Sequence, residues 1–176
     1  MKTYALAILL ALPLVAQSRD PFEPTPEVLA QVDANLVKGY REQIDSNGLF
    51  VNRSRFLLGM AYYNGKGVEK DFFQANKWLR ESAIRGSVEG AFALGACYAN
   101  GHGVPKDYIE SYAWYNLAAI RGNEEASAKR DLVEKSLSPG GLETARAKSS
   151  KLYEEMTAIL ATKPTQPKSQ KKNQSK

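Results

Sequence analysis

The feature that most constrains this chain is a 36-residue unit written twice, over residues 55–90 and 91–126. A shift of 36 lays Phe56 on Phe92, Leu58-Gly59 on Leu94-Gly95, Tyr62 on Tyr98 and Asn64-Gly65 on Asn100-Gly101. The match runs on through Gly67-Val68 on Gly103-Val104, Lys70-Asp71 on Lys106-Asp107, Trp78 on Trp114 and Ala83-Ile84-Arg85-Gly86 on Ala119-Ile120-Arg121-Gly122. With Glu89 on Glu125, 16 of 36 positions are identical. A fixed period of this length marks a helical solenoid, in which a unit buries its apolar face only by stacking on its neighbours. The expected fold class is all-α, an α/α solenoid of antiparallel helix pairs.

Each unit reads as two helices. Phe56, Leu58, Gly59 and Tyr62 recur at helical spacing over 54–64, which predicts a first helix, A. Glycine inside a helix costs about 1 kcal/mol relative to alanine, so a glycine repeated at 59 and 95 implies the close approach of a neighbouring helix. Asn64-Gly65 and Asn100-Gly101 end the A helices, being residues that tolerate the left-handed conformation. Asp71 and Asp107 then read as N-caps of a second helix, B, with Gln74 and Glu110 at capping-box spacing. Along B the buried stripe is Phe72, Ala75, Trp78, Leu79 and Ala83 in one copy, and Tyr108, Ser111, Tyr112, Tyr115 and Ala119 in the other, with Trp78 and Trp114 as anchors. Gly86 and Gly122 close the B helices, and Ser87 and Asn123 cap the next ones.

These residues carry a resemblance. Leu58-Gly59-x-x-Tyr62, Gly65-x-Gly67-Val68-x-x-Asp71, Trp78 and Ala83-x-x-Gly86 recur as Leu94-Gly95-x-x-Tyr98, Gly101-x-Gly103-Val104-Pro105-x-Asp107, Trp114 and Ala119-x-x-Gly122. The pattern resembles two Sel-one-like repeats, relatives of the tetratricopeptide repeat, of an exported bacterial type. The resemblance implies a scaffold or adaptor. After Gly122 the chain is similar to the way such proteins end, with a third A-like helix, Leu137-Ser138-Pro139 and a long closing helix. Arg130-Asp131 stands where Leu-Gly would be, so this third unit is degenerate, as a terminal cap should be.

The flanks complete the organisation. Lys2 precedes an uncharged apolar run, Tyr4 to Ala16, and Ala16-Gln17-Ser18 supplies small residues before a cut, so residues 1–18 read as a signal peptide. Export to the periplasm or beyond is the expectation, with a retained N-terminal membrane anchor as the alternative. Residues 19–26, rich in proline, form a linker, and the helical repeat domain spans 27–160. A capping helix over 27–47 is expected to pack Leu29, Val32 or Asp33, Leu36, Tyr40 and Ile44 on the first repeat. At the other end, capping helices over 124–160 bury Ala126, Leu132 and Val133, then Leu142, Ala145, Ser149, Leu152, Tyr153, Met156 and Leu160. Residues 161–176 are lysine-rich, lack acids and are expected to be disordered.

Charge follows the same division. Residues 19–160 hold 18 basic and 19 acidic side chains, a net of minus one, so the formal +5 of the chain belongs to the tail and Lys2. A basic body suited to nucleic acid is absent. The tail suits weak contact with an anionic surface.

Catalytic and metal chemistry find no footing in the sequence. Cys97 is the only cysteine and reads as a small buried apolar residue, so the disulfide-stapled branch of the family it resembles does not fit, nor does that branch's penicillin-binding or β-lactamase-like activity. The only Ser-x-x-Lys, Ser169 to Lys172, lies in the tail. His102, the only histidine, reads as a loop surface residue, and one histidine with one cysteine makes no ordinary zinc site. Asp71 and Asp107 read as caps and not as general acids. No metal, cofactor or enzymatic activity is expected.

What remains is binding. The sequence predicts a non-enzymatic module that holds a protein or peptide partner on a concave face lined mainly by A helices, as a monomer or with weak self-stacking. Helical position assigns Arg55, Met60 and Tyr63 in the first unit, and Ala91, Ala96 and Ala99 in the second, to that face. Tyr63 has a competing assignment, packing on the N-terminal cap helix. The alternative function is a structural envelope protein held at an anionic surface by its tail. A third, a hydrolase of cell-wall material, needs a cleft of converging polar groups that the sequence does not supply.

Overall fold

A computed structural model describes residues 26–46 and 51–162 of the chain; the N-terminal apolar segment, most of the proline-rich stretch, residues 47–50 and the lysine tail lie outside the described residues. Within them the chain forms seven α-helices: α1 (Pro26–Asp45), α2 (Val51–Asn64), α3 (Phe72–Ala83), α4 (Val88–Asn100), α5 (Tyr108–Ala119), α6 (Glu124–Glu134) and α7 (Pro139–Ala161). The pairs α2/α3 and α4/α5 are the A and B helices of the two repeats, and each pair packs together along its length. Helix α1 packs on α2, α3 on α4, and both α6 and α7 on α5. The result is a solenoid of helix pairs with α1 at one end and α6/α7 at the other.

The caps form where polar side chains meet unpaired helix N–H groups. Asp71 accepts from the backbone N–H groups of Phe73 and Gln74, and Asp107 from those of Ile109 and Glu110, at 2.8–3.1 Å. The return half of the capping box is replaced by a longer link: Asp71 N–H donates to the carbonyl of Tyr62, and Asp107 N–H to that of Tyr98, both at 3.0 Å. Each B helix is thereby tied back to its own A helix. Ser87, Asn123 and Ser138 cap α4, α6 and α7 in the same manner.

The repeated helix glycines permit close approach. A Cβ on Gly59 would stand 3.0 Å from the Leu79 side chain, and one on Gly95 only 2.7 Å from the Tyr115 ring. Loop glycines join one unit to the next. Gly103, at φ +70°, lies so close to the backbone of Phe72 that a Cβ would overlap it at 2.5 Å. Gly67 meets the backbone of Asp33 in the same way, so α1 serves as the B helix of a unit preceding the first repeat.

The main core runs through α3 to α7 around Trp114, which is wholly buried, with Leu79, Leu94, Cys97, Leu117 and Leu152. A smaller cluster joins Val37 to Leu58 and Ala61. Four sequence expectations need correction. Trp78 is only half-buried, at the edge of the smaller cluster, so the two tryptophans are not equal anchors. On α1 Val37 is buried, with Tyr40 and Ile44 packed beside it, while Leu36 is 48% exposed; the side chains of Leu29 and Val32 lie outside those described. On α6 Val133 points inward and Leu132 is 58% exposed. On α7 Ile159 packs on the core, while Tyr153 and Leu160 remain exposed. In α1 and α7 apolar neighbours compete for one inward position and no second copy of the helix fixes the register, whereas on α6 the 36-residue register lays Leu132 on Ala96 and Val133 on buried Cys97.

Candidate functional site

Three A helices frame an open hollow of about 400 Å³. Helix α2 contributes Phe56, Met60 and Tyr63, which recur at four- and three-residue steps on one face; α4 contributes Glu89, Phe92, Ala93 and Ala96 on the matching face; Asn123 and Glu125 close the hollow at the start of α6. The floor is aromatic and aliphatic, and the carboxylates stand at its rim.

The hollow arises where the two repeats differ. At the positions that α2 fills with Leu57, Met60 and Tyr63, α4 carries Ala93, Ala96 and Ala99. Core positions such as Leu58 and Leu94 are kept, so the packing holds while the solvent-facing side of α4 is cut back to methyl groups. Exposed Leu132, in the degenerate third unit, falls 36 residues beyond Ala96 and continues this series on α6.

Of the six residues assigned to the concave face, the structure brings Met60, Tyr63 and Ala96 together in the hollow. Ala99 follows one turn along α4, half-buried and outside the lining. Arg55 and Ala91 do not face the hollow. Each lies four residues before a close-packing glycine, Gly59 or Gly95, and so shares the helix face turned toward the B helices. Ala91 is accordingly buried at 1% exposure. Arg55 donates to Asn52 Oδ1 at 2.9 Å, and burial, with Arg85 nearby, lowers its pKa against a smaller opposing effect of Glu81.

Sequence reasoning misses Phe56, Phe92, Glu89, Ala93, Asn123 and Glu125. The signal is present in the identity of Phe56 with Phe92 and of Glu89 with Glu125 across the repeat, but such identity fits core packing or capping equally well.

At the junction between repeats, His102 departs from a plain surface role. Its Nδ1 is 2.8 Å from the Tyr63 hydroxyl, its ring stacks on Phe72 at 4.9 Å and 10°, and its carbonyl accepts from Asn76 Nδ2 at 2.6 Å. Tyr63 therefore packs on the loop of the second repeat instead of α1, meeting Phe72 edge-on at 5.1 Å. Burial raises the Tyr63 pKa, with Cys97 adding a smaller effect. Cys97 itself is buried, and desolvation pushes its thiol up to about 11, the setting of a packing residue and not a nucleophile. Among the described residues no group of three His, Cys, Asp or Glu side chains is arranged to hold a metal ion.

Helix pairs repeated at this period, joined through paired loop glycines and Asp-capped B helices, define a solenoid repeat protein. The chain carries two Sel1 repeats, at residues 53–87 and 88–123. No curated protein matches the chain. Among solved structures it is similar to c5321, a protective antigen present in uropathogenic Escherichia coli strains that displays an SLR fold. The identity is 27% and the TM-score 0.63, over 78% of this chain and 34% of the antigen. It is also similar to a Sel1 repeat protein from Oxalobacter formigenes at 38% identity, over 44% of this chain and 22% of that one, with a TM-score of 0.43. The chain thus spans about a third or less of the length of these two proteins. Sel1 repeats are in general scaffolds for protein–protein interaction without enzymatic activity.

Proposed function

We propose that this protein is a non-enzymatic adaptor, exported to the cell envelope, that holds a protein or peptide partner in the concave hollow across α2, α4 and α6. One observation carries the reading: the second repeat keeps the core of the first and replaces Leu57, Met60 and Tyr63 by alanines on the face that opens to solvent. Ala93 and Ala96 line the hollow at the positions that Leu57 and Met60 occupy in the first repeat, and Phe56 and Phe92 are left half-covered beside them. An apolar hollow with a polar rim is the form of a docking site for a side chain or short segment. The apolar leader over residues 4–16 supports export.

The test uses the exported form of the chain beside Ala96→Met, which refills the hollow with the first repeat's own side chain. A partner purified from the cell envelope should bind the parent and lose at least tenfold in affinity for the variant. Equal affinity for both contradicts the reading. Deleting residues 161–176 in parallel separates groove binding from attachment through the tail, since only tail-driven attachment disappears with it. Sequencing the N-terminus of the protein recovered from the envelope fraction tests export and the cut near residue 18.

A further inference from the structure

The hollow's rim specifies what its floor does not. Its lining includes two carboxylates, Glu89 and Glu125, and no cation. The two are copies of one another 36 residues apart, and both are exposed. Among the described residues neither takes part in an ion pair; Glu89 accepts only from Ser87 Oγ, at 3.1 Å. Both sit in the first turn of their helices. Arg53 and Arg85 line an adjoining hollow that shares Phe56 and Glu89 with this one, and Arg85 is engaged by Glu81 at 3.3 Å.

A partner that covers Phe56 and Phe92 expels water from around these carboxylates. Stripping water from an unpaired charge is costly unless the covering group brings an opposite charge. A neutral apolar segment therefore meets a desolvation penalty, and an acidic one adds repulsion. Lysine and arginine do neither, because their aliphatic stems lie along apolar surface while the charged head reaches a carboxylate.

We propose that the hollow recognises an extended peptide segment in which a bulky apolar side chain stands beside lysine or arginine. The apolar group seats against Phe56 and Phe92 in the space left by Ala93 and Ala96, and the cation pairs with Glu89 and Glu125. This inference rests on the concave-face reading above and names the partner's chemistry.

The experiment pans a random peptide display library on the exported chain and compares the enriched peptides, resynthesised, on three proteins: the parent, Ala96→Met, and the double variant Glu89→Gln, Glu125→Gln. Circular dichroism confirms that each is folded. Enriched peptides should combine a bulky apolar residue with lysine or arginine. They should bind the glutamine pair about tenfold more weakly and lose affinity as salt rises from about 50 to 300 mM. Peptides that need the open Ala96 position but are indifferent to the glutamine pair and to salt overturn the basic-partner inference alone. Peptides that bind Ala96→Met as well as the parent, or the absence of any enriched sequence, overturn the concave-face reading together with it.

Discussion

The hydroxyl of Tyr63 and Nδ1 of His102 lie 2.8 Å apart, joining the last turn of α2 in the first repeat to the loop of the second across 39 positions of sequence. The same loop is held by Phe72 stacked on the imidazole and by Asn76 donating to the His102 carbonyl. In a solenoid the contacts between neighbouring units supply much of the cooperativity, so this cluster couples the two repeats. Tyr63→Phe keeps the ring contacts and removes one part-buried hydrogen bond. It should cost about 1 kcal/mol, read as a fall of a few degrees in the thermal midpoint. A midpoint unchanged within error would show that the hydroxyl is equally well solvated without His102.

The helix glycines give a sharper comparison. Both Gly59→Ala and Gly95→Ala gain roughly 1 kcal/mol of helix propensity. The new methyl group meets the buried Leu79 side chain at 3.0 Å and its backbone N at 3.1 Å in the first case, and the buried Tyr115 ring at 2.7 Å in the second. Gly59→Ala should be the milder of the two, while Gly95→Ala should destabilise by about 2 kcal/mol, in the range of overpacked cores. Urea unfolding measures both, and equal midpoints would contradict the packing described.

The tryptophans are likewise unequal. Trp114 is fully enclosed, with Arg80 over its ring at 5.5 Å, whereas Trp78, on α3, is half-buried at the edge of the smaller cluster. Trp114→Ala should cost about 3–5 kcal/mol and Trp78→Ala about half that. Chemical denaturation of each variant checks the order, and a larger loss at Trp78 would place the core in the wrong half of the stack.

Much of this architecture is legible in the amino-acid sequence. The 36-residue identity aligns the A and B helices, and Asp71, Asp107, Ser87 and Asn123 cap the helices that their chemistry implies. The hollow is half-legible. Helical position puts Met60, Tyr63 and Ala96 on the open face, where they are found, but it also puts Arg55 and Ala91 there, although their register with Gly59 and Gly95 turns them toward the B helices. Phe56 and Phe92 escape notice because a shared aromatic satisfies a packing pattern whether it is covered or half-covered. The flanking helices are the least legible, since α1 and α7 have no second copy to decide between Leu36 and Val37 or between Ile159 and Leu160.

Alkaline pH should loosen the fold. Cys97 is held up to about 11 against an ordinary 9.0, and Tyr115 up to about 12 against 10.0, in both cases mainly because burial disfavours the charged form. The unfolded chain releases these protons at lower pH than the folded one. Stability is therefore fully present below about pH 9 and declines as pH rises through the interval between the unfolded and folded values. Equilibrium unfolding at pH 8 and near pH 10 tests this, as does thiol labelling of Cys97, which should be slow in the folded protein at pH 8 and fast in denaturant. Rapid labelling of the native protein at pH 8 would show that the core around α4 opens readily.

The central claim is that partners dock on the A-helix hollow, and the chain offers a built-in reporter. It holds three methionines: Met1 in the N-terminal apolar segment, Met60 in the hollow and Met156 buried on α7, where Arg121 donates to its sulfur at 3.2 Å. With methyl-13C methionine in the protein, titration with a purified partner segment should move the Met60 methyl resonance to saturation and leave Met156 in place. Saturable binding seen by calorimetry with Met60 unmoved would contradict the account.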